Sequence, residues 1–324
     1  MSKVEVIPRV VVREFKYLGI ERISSKVGLE TFVFAGSKEP PVDVEIYKLM
    51  FKGLLAQEET NPNLILLEPG TRVRIKCQPW KVYCRWHNGP IDREDNPLLR
   101  KYCIRPLTRE TVGYCSLHEK SIRALYDRCL SSVGVSCLSK CLKLDEILDG
   151  KINFIVYIID YGGSKIKVGV TREFRLLHRV SEQPHVVAKV IYKTNSAYEA
   201  RKIETMLSHK LKALTERPGD RNLASSLSSN LKVAIARISN VMNNIARMLG
   251  ENAIPKTPLI KVTLQNINVI KNFSEINLRM EHTYNSVMEV VDYWGGYLFL
   301  EAKGKIKAVK VNTLLHHLDL IVKN

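Results

Sequence analysis

Six apolar or aromatic residues in succession, Phe154-Ile155-Val156-Tyr157-Ile158-Ile159, lead into a Gly162-Gly163 turn and then into Lys165-Ile166-Lys167-Val168-Gly169-Val170-Thr171-Arg172. Two β-rich runs on either side of a short glycine turn specify an antiparallel hairpin. Arg179 follows, and after it an amphipathic segment that carries Glu204. The order is strand, turn, strand, arginine-bearing helix and glutamate-bearing helix, which restricts this part of the chain to a small sheet flanked by helices.

The rest of the chain is read around that hairpin. Residues 1–76 are strand-rich: Val4 to Val12 is dense in Val and Ile, and residues 63–75 form two short runs around Pro69-Gly70. Residues 43–55 fit helix spacing at Val44, Ile46, Leu49, Met50, Leu54 and Leu55, yet alternate like a strand at their start,. Residues 77–150 hold all seven cysteines. Residues 151–254 contain the hairpin and a long helix from Asn222 to Leu249, which Pro255 and Pro258 end. Residues 255–324 return to β character, with a hairpin across Lys303-Gly304. The expectation is an α+β fold: a β-rich N-terminal domain (1–76), a Cys/His region (77–150), a small mixed sheet with flanking helices (151–254) and a C-terminal β unit (255–324).

The 324 residues carry a net charge of +17. Residues 161–250 alone hold 16 Lys or Arg against 6 Asp or Glu. An excess of that size points to a polyanionic partner. Basic residues are spread along the chain, and no lipidation motif accompanies them, so a membrane surface is not the expected partner. No apolar run reaches about 18 residues, so no transmembrane helix is expected. The first residues lack the apolar core of a signal peptide, and a cytoplasmic location is the expectation.

Within the cysteine region two units repeat a spacing, Cys84-Arg85-Trp86-His87 and Cys115-Ser116-Leu117-His118. Each offers a thiolate and an imidazole two residues apart. Together they supply two sulfur and two nitrogen ligands, a set that suits a structural, tetrahedral Zn²⁺. Cys77 and Cys103 are alternates, and the spacing does not fix which four bind. Buried thiols are the competing reading, and disulfides are disfavoured in a reducing compartment. Cys129, on a helix expected from Glu119 onward, and Cys137 with Cys141 are read as core residues or an oxidisable pair.

Hydrolysing a phosphodiester needs a group that aligns or deprotonates water, a cation for the charge developing at phosphorus, and a hard metal ion for the leaving oxygen. A tyrosine whose pKa is lowered by nearby cations, an arginine and a lone carboxylate holding Mg²⁺ or Mn²⁺ can divide that labour. Tyr157 in Ile155-Val156-Tyr157, Lys167-Val168-Gly169, Gly169-Val170-Thr171-Arg172, Arg179 and Glu204 stand in that order. This succession resembles the GIY-YIG endonuclease core. The resemblance implies catalytic roles for Tyr157, Lys167, Arg179 and Glu204, with Glu204 as the Mg²⁺ ligand and Arg172 and Arg175 as alternates for the arginine. Lys165, Arg172, Arg175, Arg201 and Lys202 would contact the nucleic acid. The first motif lacks its glycine, and Lys167 stands where the second motif has tyrosine. Across most of the chain, the Cys/His cluster, Lys-Val-Gly-Val-Thr-Arg, Glu182-Gln183 and Gly296-Tyr297-Leu298-Phe299 resemble an uncharacterised prokaryotic family, with archaeal members most similar in layout.

Each residue also has a plain structural role to weigh. Tyr157 would then be a core aromatic, Gly169 a strand end, and Glu204 the partner of Arg201 or Lys202 on a helix face. Gly162-Gly163-Ser164-Lys165 lacks the frame of a phosphate loop and reads as a turn. His316-His317 has no companion ligand spacing. The leading expectation is a basic zinc protein that binds nucleic acid, structured RNA or the ribosome before DNA. The alternatives are an active Mg²⁺-dependent endonuclease and a scaffold for acidic proteins. An open groove onto which Tyr157, Arg179 and Glu204 converge would favour the nuclease. A Tyr157 facing the core, or a Glu204 buried in an ion pair, would count against it.

Overall fold

The computed structural model of the chain describes residues 10–24, 33–34, 37–38, 43–58, 64–75, 82–107, 113–131, 137–163, 166–211, 221–264, 270, 272–275, 286–311 and 318–320. In chain order the first strands are β1 (Val10–Ser24), β2 (Val33–Phe34), β3 (Ser37–Lys38), β4 (Val44–Glu58), β5 (Leu64–Leu67), β6 (Arg72–Ile75), β7 (Val82–Tyr83) and β8 (Pro106–Leu107). Helices α1 (Ile122–Ser131) and α2 (Leu138–Leu148) lead to β9 (Phe154–Asp160), β10 (Ile166–Arg172), α3 (Leu176–Ser181), β11 (Val187–Thr194) and α4 (Ala197–Lys210). Then come α5 (Arg221–Ser228), α6 (Leu231–Leu249), β12 (Leu259–Leu264), β13 (Phe273–Glu275), β14 (Val287–Trp294), β15 (Tyr297–Ala302), β16 (Lys305–Lys310) and β17 (Leu318–Leu320). The fold is α+β, as the sequence pattern predicts. Among the described residues no helix is long and apolar enough to cross a membrane. Cys77, Lys165, His316 and His317 lie outside the described residues.

The chain divides into two compact units. One comprises Ile20–Leu49 and Leu125–Gln265; the other comprises Met1–Gly19, Met50–Ala124 and Asn266–Asn324.

The first unit is built on β9. Every residue of that strand is buried, because it lies between β10 and β11, antiparallel to both, and helices cover both of its faces. That double cover is why the run reads as continuously apolar rather than alternating. α4 packs on β9, β10 and β11, while α6 packs on β9 and β11. Successive side chains point to opposite faces: Asp160 meets Arg237 of α6 at 3.1 Å, and Tyr157 faces the α4 side. β12 continues the sheet beside β11, and residues 44–49 of β4 run parallel to β12. The ambiguous stretch 43–55 is therefore strand from Val44 onward. Pairing along its length overrides the helical spacing of its apolar residues.

Local chemistry fixes the helices of this unit. The expected helix over 222–249 is two helices. Ser229 leaves the helical path and donates to Gly162 O at 3.1 Å, and Asn230 caps α6 by accepting from Lys232 N at 2.8 Å. A Cβ on Gly162 would collide with Ser229 Oγ, so the glycine of the β9–β10 turn is what lets Ser229 approach. Asp145 of α2 accepts from Ser196 Oγ at 2.6 Å, Ala197 N at 2.6 Å and Tyr198 N at 3.0 Å. It thus satisfies donors that the first turn of α4 leaves unpaired. A disulfide joins Cys129 of α1 to Cys141 of α2. The oxidisable pair is thus Cys129 with Cys141, while Cys137 is buried at the N-cap of α2. His185 donates from Nδ1 to Gln183 O at 2.8 Å and accepts at Nε2 from Val262 N at 3.1 Å. Full burial pushes its pKa down to about 4.

The second unit is a β assembly. β14, β15 and β16 form an antiparallel meander, turning between β15 and β16 at Lys303 and Gly304, both at positive φ. That is the backbone a two-residue hairpin turn demands. β6 lies between β14 and β17, and β5 pairs with residues 54–57 of β4. Phe51 packs on Tyr293 with ring centroids 5.8 Å apart. The β7–β8 ribbon carries the cysteine region.

Candidate metal centre and the tyrosine–glutamate cluster

The ribbon that begins with β7 and β8 continues past them. Cys84 N donates to Arg105 O at 3.0 Å, Cys103 N to Trp86 O at 2.9 Å, and His87 bridges Tyr102. Residue 84 is thus opposite 105, and 86 opposite 103. Side chains alternate along such a pair, which puts Cys84, Trp86, Cys103 and Arg105 on one face and Arg85, His87, Tyr102 and Ile104 on the other.

Residues 115–118 form a tight turn, with His118 N donating to Cys115 O at 2.8 Å. The turn folds the His118 ring back toward the ribbon. Cys115 Sγ lies 3.3 Å and Cys84 Sγ 3.6 Å from His118 Nδ1, and Cys103 Sγ lies 4.0 Å from Cys115 Sγ. The four ligand atoms of Cys84, Cys103, Cys115 and His118 all fall within 4.8 Å of one another. A tetrahedral ion bound by sulfur at about 2.3 Å and nitrogen at about 2.0 Å sets its ligands about 3.5–3.8 Å apart. This quartet can hold a metal ion.

The surroundings suit that use. Cys115 N donates to Cys84 Sγ at 3.3 Å, the kind of bond that steadies a thiolate. Trp86 stacks on the His118 ring at 4.2 Å, with the planes 3° apart, and so fixes the imidazole's orientation. Burial, helped by the nearby Arg105 charge, lowers the His118 pKa and keeps the ring in the neutral form that ligates,. Without an ion, burial pushes the Cys84 thiol up to about 11.

Three of the four residues first proposed as ligands, Cys84, Cys115 and His118, are thus brought together, and the alternate Cys103 completes the set. His87 stays out. In an extended ribbon, side chains three residues apart point to opposite faces, so Cys84-x-x-His87 cannot close on one ion as the turn at Cys115-x-x-His118 does. His87 accepts instead from Gly89 N at 3.1 Å. What selects Cys103 is the ribbon register, which sets it on the face of Cys84 and Trp86.

The second cluster lies in the other unit. Tyr157 is opposite Gly169 in the β9–β10 pairing, and its ring lies directly over that glycine: an added Cβ would stand 2.7 Å from Tyr157 Cζ. Gly169 is therefore a seat for the tyrosine rather than a mere strand end. Only 1 % of Tyr157 is exposed. Its hydroxyl accepts from Gln183 Nε2 at 2.9 Å, and Gln183 Oε1 accepts from Tyr161 at 3.0 Å. Burial raises the Tyr157 pKa, the Glu182 and Glu204 charges raise it further, and the Arg179 charge and the Gln183 bond only partly offset this. The tyrosine expected to act as a base is thus held in its neutral form, because desolvation outweighs the neighbouring cation.

Arg179 is gathered near Tyr157, but its guanidinium donates to Glu182 at 2.6 Å, and Arg175 lies 3.7 Å from the same carboxylate. The Glu182 charge raises the Arg179 pKa further. Glu204 pairs with Arg201, both largely buried. Burial raises the Glu204 pKa, with the Arg201 and Lys167 charges opposing. Arg172 is buried beneath the Tyr126 ring, 4.3 Å from its centroid, and so is no surface contact; Lys202 is exposed. The structure therefore collects Tyr157, Lys167, Arg179 and Glu204 in one neighbourhood but seals the hydroxyl and engages the carboxylate. Gln183, which bridges the two tyrosines, was legible only as half of Glu182-Gln183.

No curated protein and no solved structure matches the chain. A family model matches residues 149–313, half of the sequence, from just ahead of β9 to just beyond β16, with the cysteine quartet outside it. By that match the chain belongs to the family described as Protein of unknown function (DUF2797).

Proposed function

We propose that this protein binds nucleic acid, structured RNA in preference to DNA, and that it does so without hydrolysing it. The single observation that carries the reading is the charge of +17. Lysines and arginines in such excess neutralise phosphates and release condensed counterions, the dominant sequence-independent term in polynucleotide binding. The Cys84, Cys103, Cys115 and His118 quartet suits Zn²⁺, which favours tetrahedral thiolate and imidazole ligands. Four protein ligands leave no open position, so the ion would be structural: it would hold the ribbon to the 115–118 turn and supply no catalysis.

The reading without hydrolysis is supported by the state of the tyrosine cluster. A base must lose its proton and reach solvent, whereas Tyr157 is buried and that burial raises its pKa. A carboxylate that holds Mg²⁺ must be open to water, and Glu204 is paired with Arg201. The endonuclease reading is the second one, favoured by the gathering of Tyr157, Lys167, Arg179 and Glu204 and by the resemblance of this core to GIY-YIG enzymes.

The test is titration of the zinc-loaded protein into a labelled hairpin RNA and a DNA duplex at several salt concentrations. The expected result is tighter binding to RNA, with log K falling linearly in log salt. Absence of binding to both at about 50 mM salt would refute it.

A further inference from the structure

Among the described residues, four of the eight large hydrophobic side chains that stand exposed, Leu98, Leu99, Ile104 and Leu117, lie between residues 82 and 120, the stretch that holds the metal quartet. They share it with the exposed cations Arg85, Arg93, Lys101, Arg105 and Lys120. Solvated cations alone would explain nonspecific attraction to phosphates, but exposed apolar groups beside them need a further reason.

Leu117 is the one that adjoins the metal-facing side of the ribbon, and that side gives such a reason. Trp86 is stacked on His118, whose imidazole points into the quartet, so the indole plane is fixed before any ligand arrives. It is only partly buried. Arg105, exposed, shares its ribbon face. Leu117, 63 % exposed, stands next to His118 in the turn. A ring fixed on His118, an apolar side chain next to His118 in the 115–118 turn and a guanidinium on the ribbon face of Trp86 match the parts of an unpaired nucleobase and its phosphate. The base gains stacking and apolar contact, the phosphate a charged donor, and the indole is already ordered,. A paired base offers no free face to such a site.

We infer that the metal-bearing ribbon, through Trp86, Leu117 and Arg105, is the contact for unpaired nucleotides in single-stranded RNA. The inference rests on the nucleic-acid reading above and adds to it where the single-stranded part of the ligand is held. The bound ion acts here as a brace, since it fixes His118 and through it Trp86.

The test compares full-length zinc-loaded protein with L117S, W86L and R105Q on an unstructured single-stranded RNA and on a fully paired duplex RNA of equal length. The zinc content of each variant is measured alongside. L117S and W86L are expected to weaken single-strand binding about tenfold while leaving its salt slope and the duplex affinity unchanged. R105Q is expected to reduce the single-strand slope by about 0.7, the value of one phosphate contact. L117S alters an exposed side chain outside the quartet, so it keeps the test decisive if W86L loses metal. If the variants match wild type on single strands, the inference is overturned and the exposed face belongs to a protein partner. It is equally overturned if single-strand and duplex binding fall together. In both cases the nucleic-acid reading survives, whereas wild-type protein that binds neither RNA removes both.

Discussion

Replacing Gly169 with alanine should destabilise the unit that contains β9, and the reason is a single contact. The new Cβ would stand 2.7 Å from Tyr157 Cζ and 2.8 Å from its hydroxyl oxygen, so the two must separate by roughly 0.7 Å to reach ordinary contact near 3.5 Å. Gly169 is not in the left-handed region, so the backbone adds no strain. The ring cannot swing away easily, because Gln183 holds its hydroxyl and is itself held by Tyr161 and by Arg179 O. Overpacking a buried site costs about 1–3 kcal/mol, and loosening the Gln183 bond adds about 1 kcal/mol. Against this, alanine in a strand gains about 0.5–1 kcal/mol over glycine. The clash wins, and the expected net loss is about 1–3 kcal/mol. The same change in a Y157L background, which lacks the outer ring atoms, should cost nothing or stabilise slightly. The double-mutant cycle should therefore return a coupling of about 2 kcal/mol. Hydrogen exchange of the β9 and β10 amides reads the loss within this unit without depending on the other. If G169A lies within about 0.5 kcal/mol of wild type, or costs the same in both backgrounds, the tyrosine is not seated on this glycine and the reasoning fails.

Three further outcomes are expected. C103S should lower bound zinc well below one equivalent while H87A leaves it at one, measured by metal analysis after desalting; the opposite pattern would restore His87 as a ligand. D145A should destabilise α4 by about 1–2 kcal/mol through loss of its bonds to Ser196 and to the Ala197 and Tyr198 amides,, read as faster exchange in its first turn with α6 unchanged. His185, held neutral with its pKa near 4, is protonated more readily in the unfolded chain, whose histidine titrates near 6.5. Its contribution is thus fully present above pH 6.5 and lost as pH falls toward 4, and H185Q should flatten that part of the unit's stability profile.

The β9–β10 hairpin and the β15–β16 hairpin were legible in the sequence, because apolar runs bounding Gly162-Gly163 and Lys303-Gly304 allow few other folds. The break between α5 and α6 was not. Leu227, Leu231, Ala234 and Ile238 keep helical spacing straight through it, and what ends α5 is the bond from Ser229 to the carbonyl of Gly162, distant in sequence. The metal quartet was legible as a region and in three of its members. Its fourth ligand depended on whether each Cys-x-x-His was extended or turned, and neither the spacing nor the composition encodes that. The order Tyr157, Lys167, Arg179, Glu204 predicted that these residues would gather. The pairing of Glu204 with Arg201 was offered by their spacing, but the order could not show that Gln183 would engage Tyr157 or that the Glu204 pair would be largely buried, since burial is a property of the packed chain.

The most direct measurement of the central claim is incubation of zinc-loaded wild-type protein and E204A with structured RNA and branched DNA, Mg²⁺ or Mn²⁺ present, with binding and cleavage products followed in the same samples. Retained RNA binding with no cleavage by either protein is the predicted result. Metal-dependent cleavage by wild type that E204A abolishes, with its binding intact, would contradict it and make Glu204 the ligand of a catalytic ion.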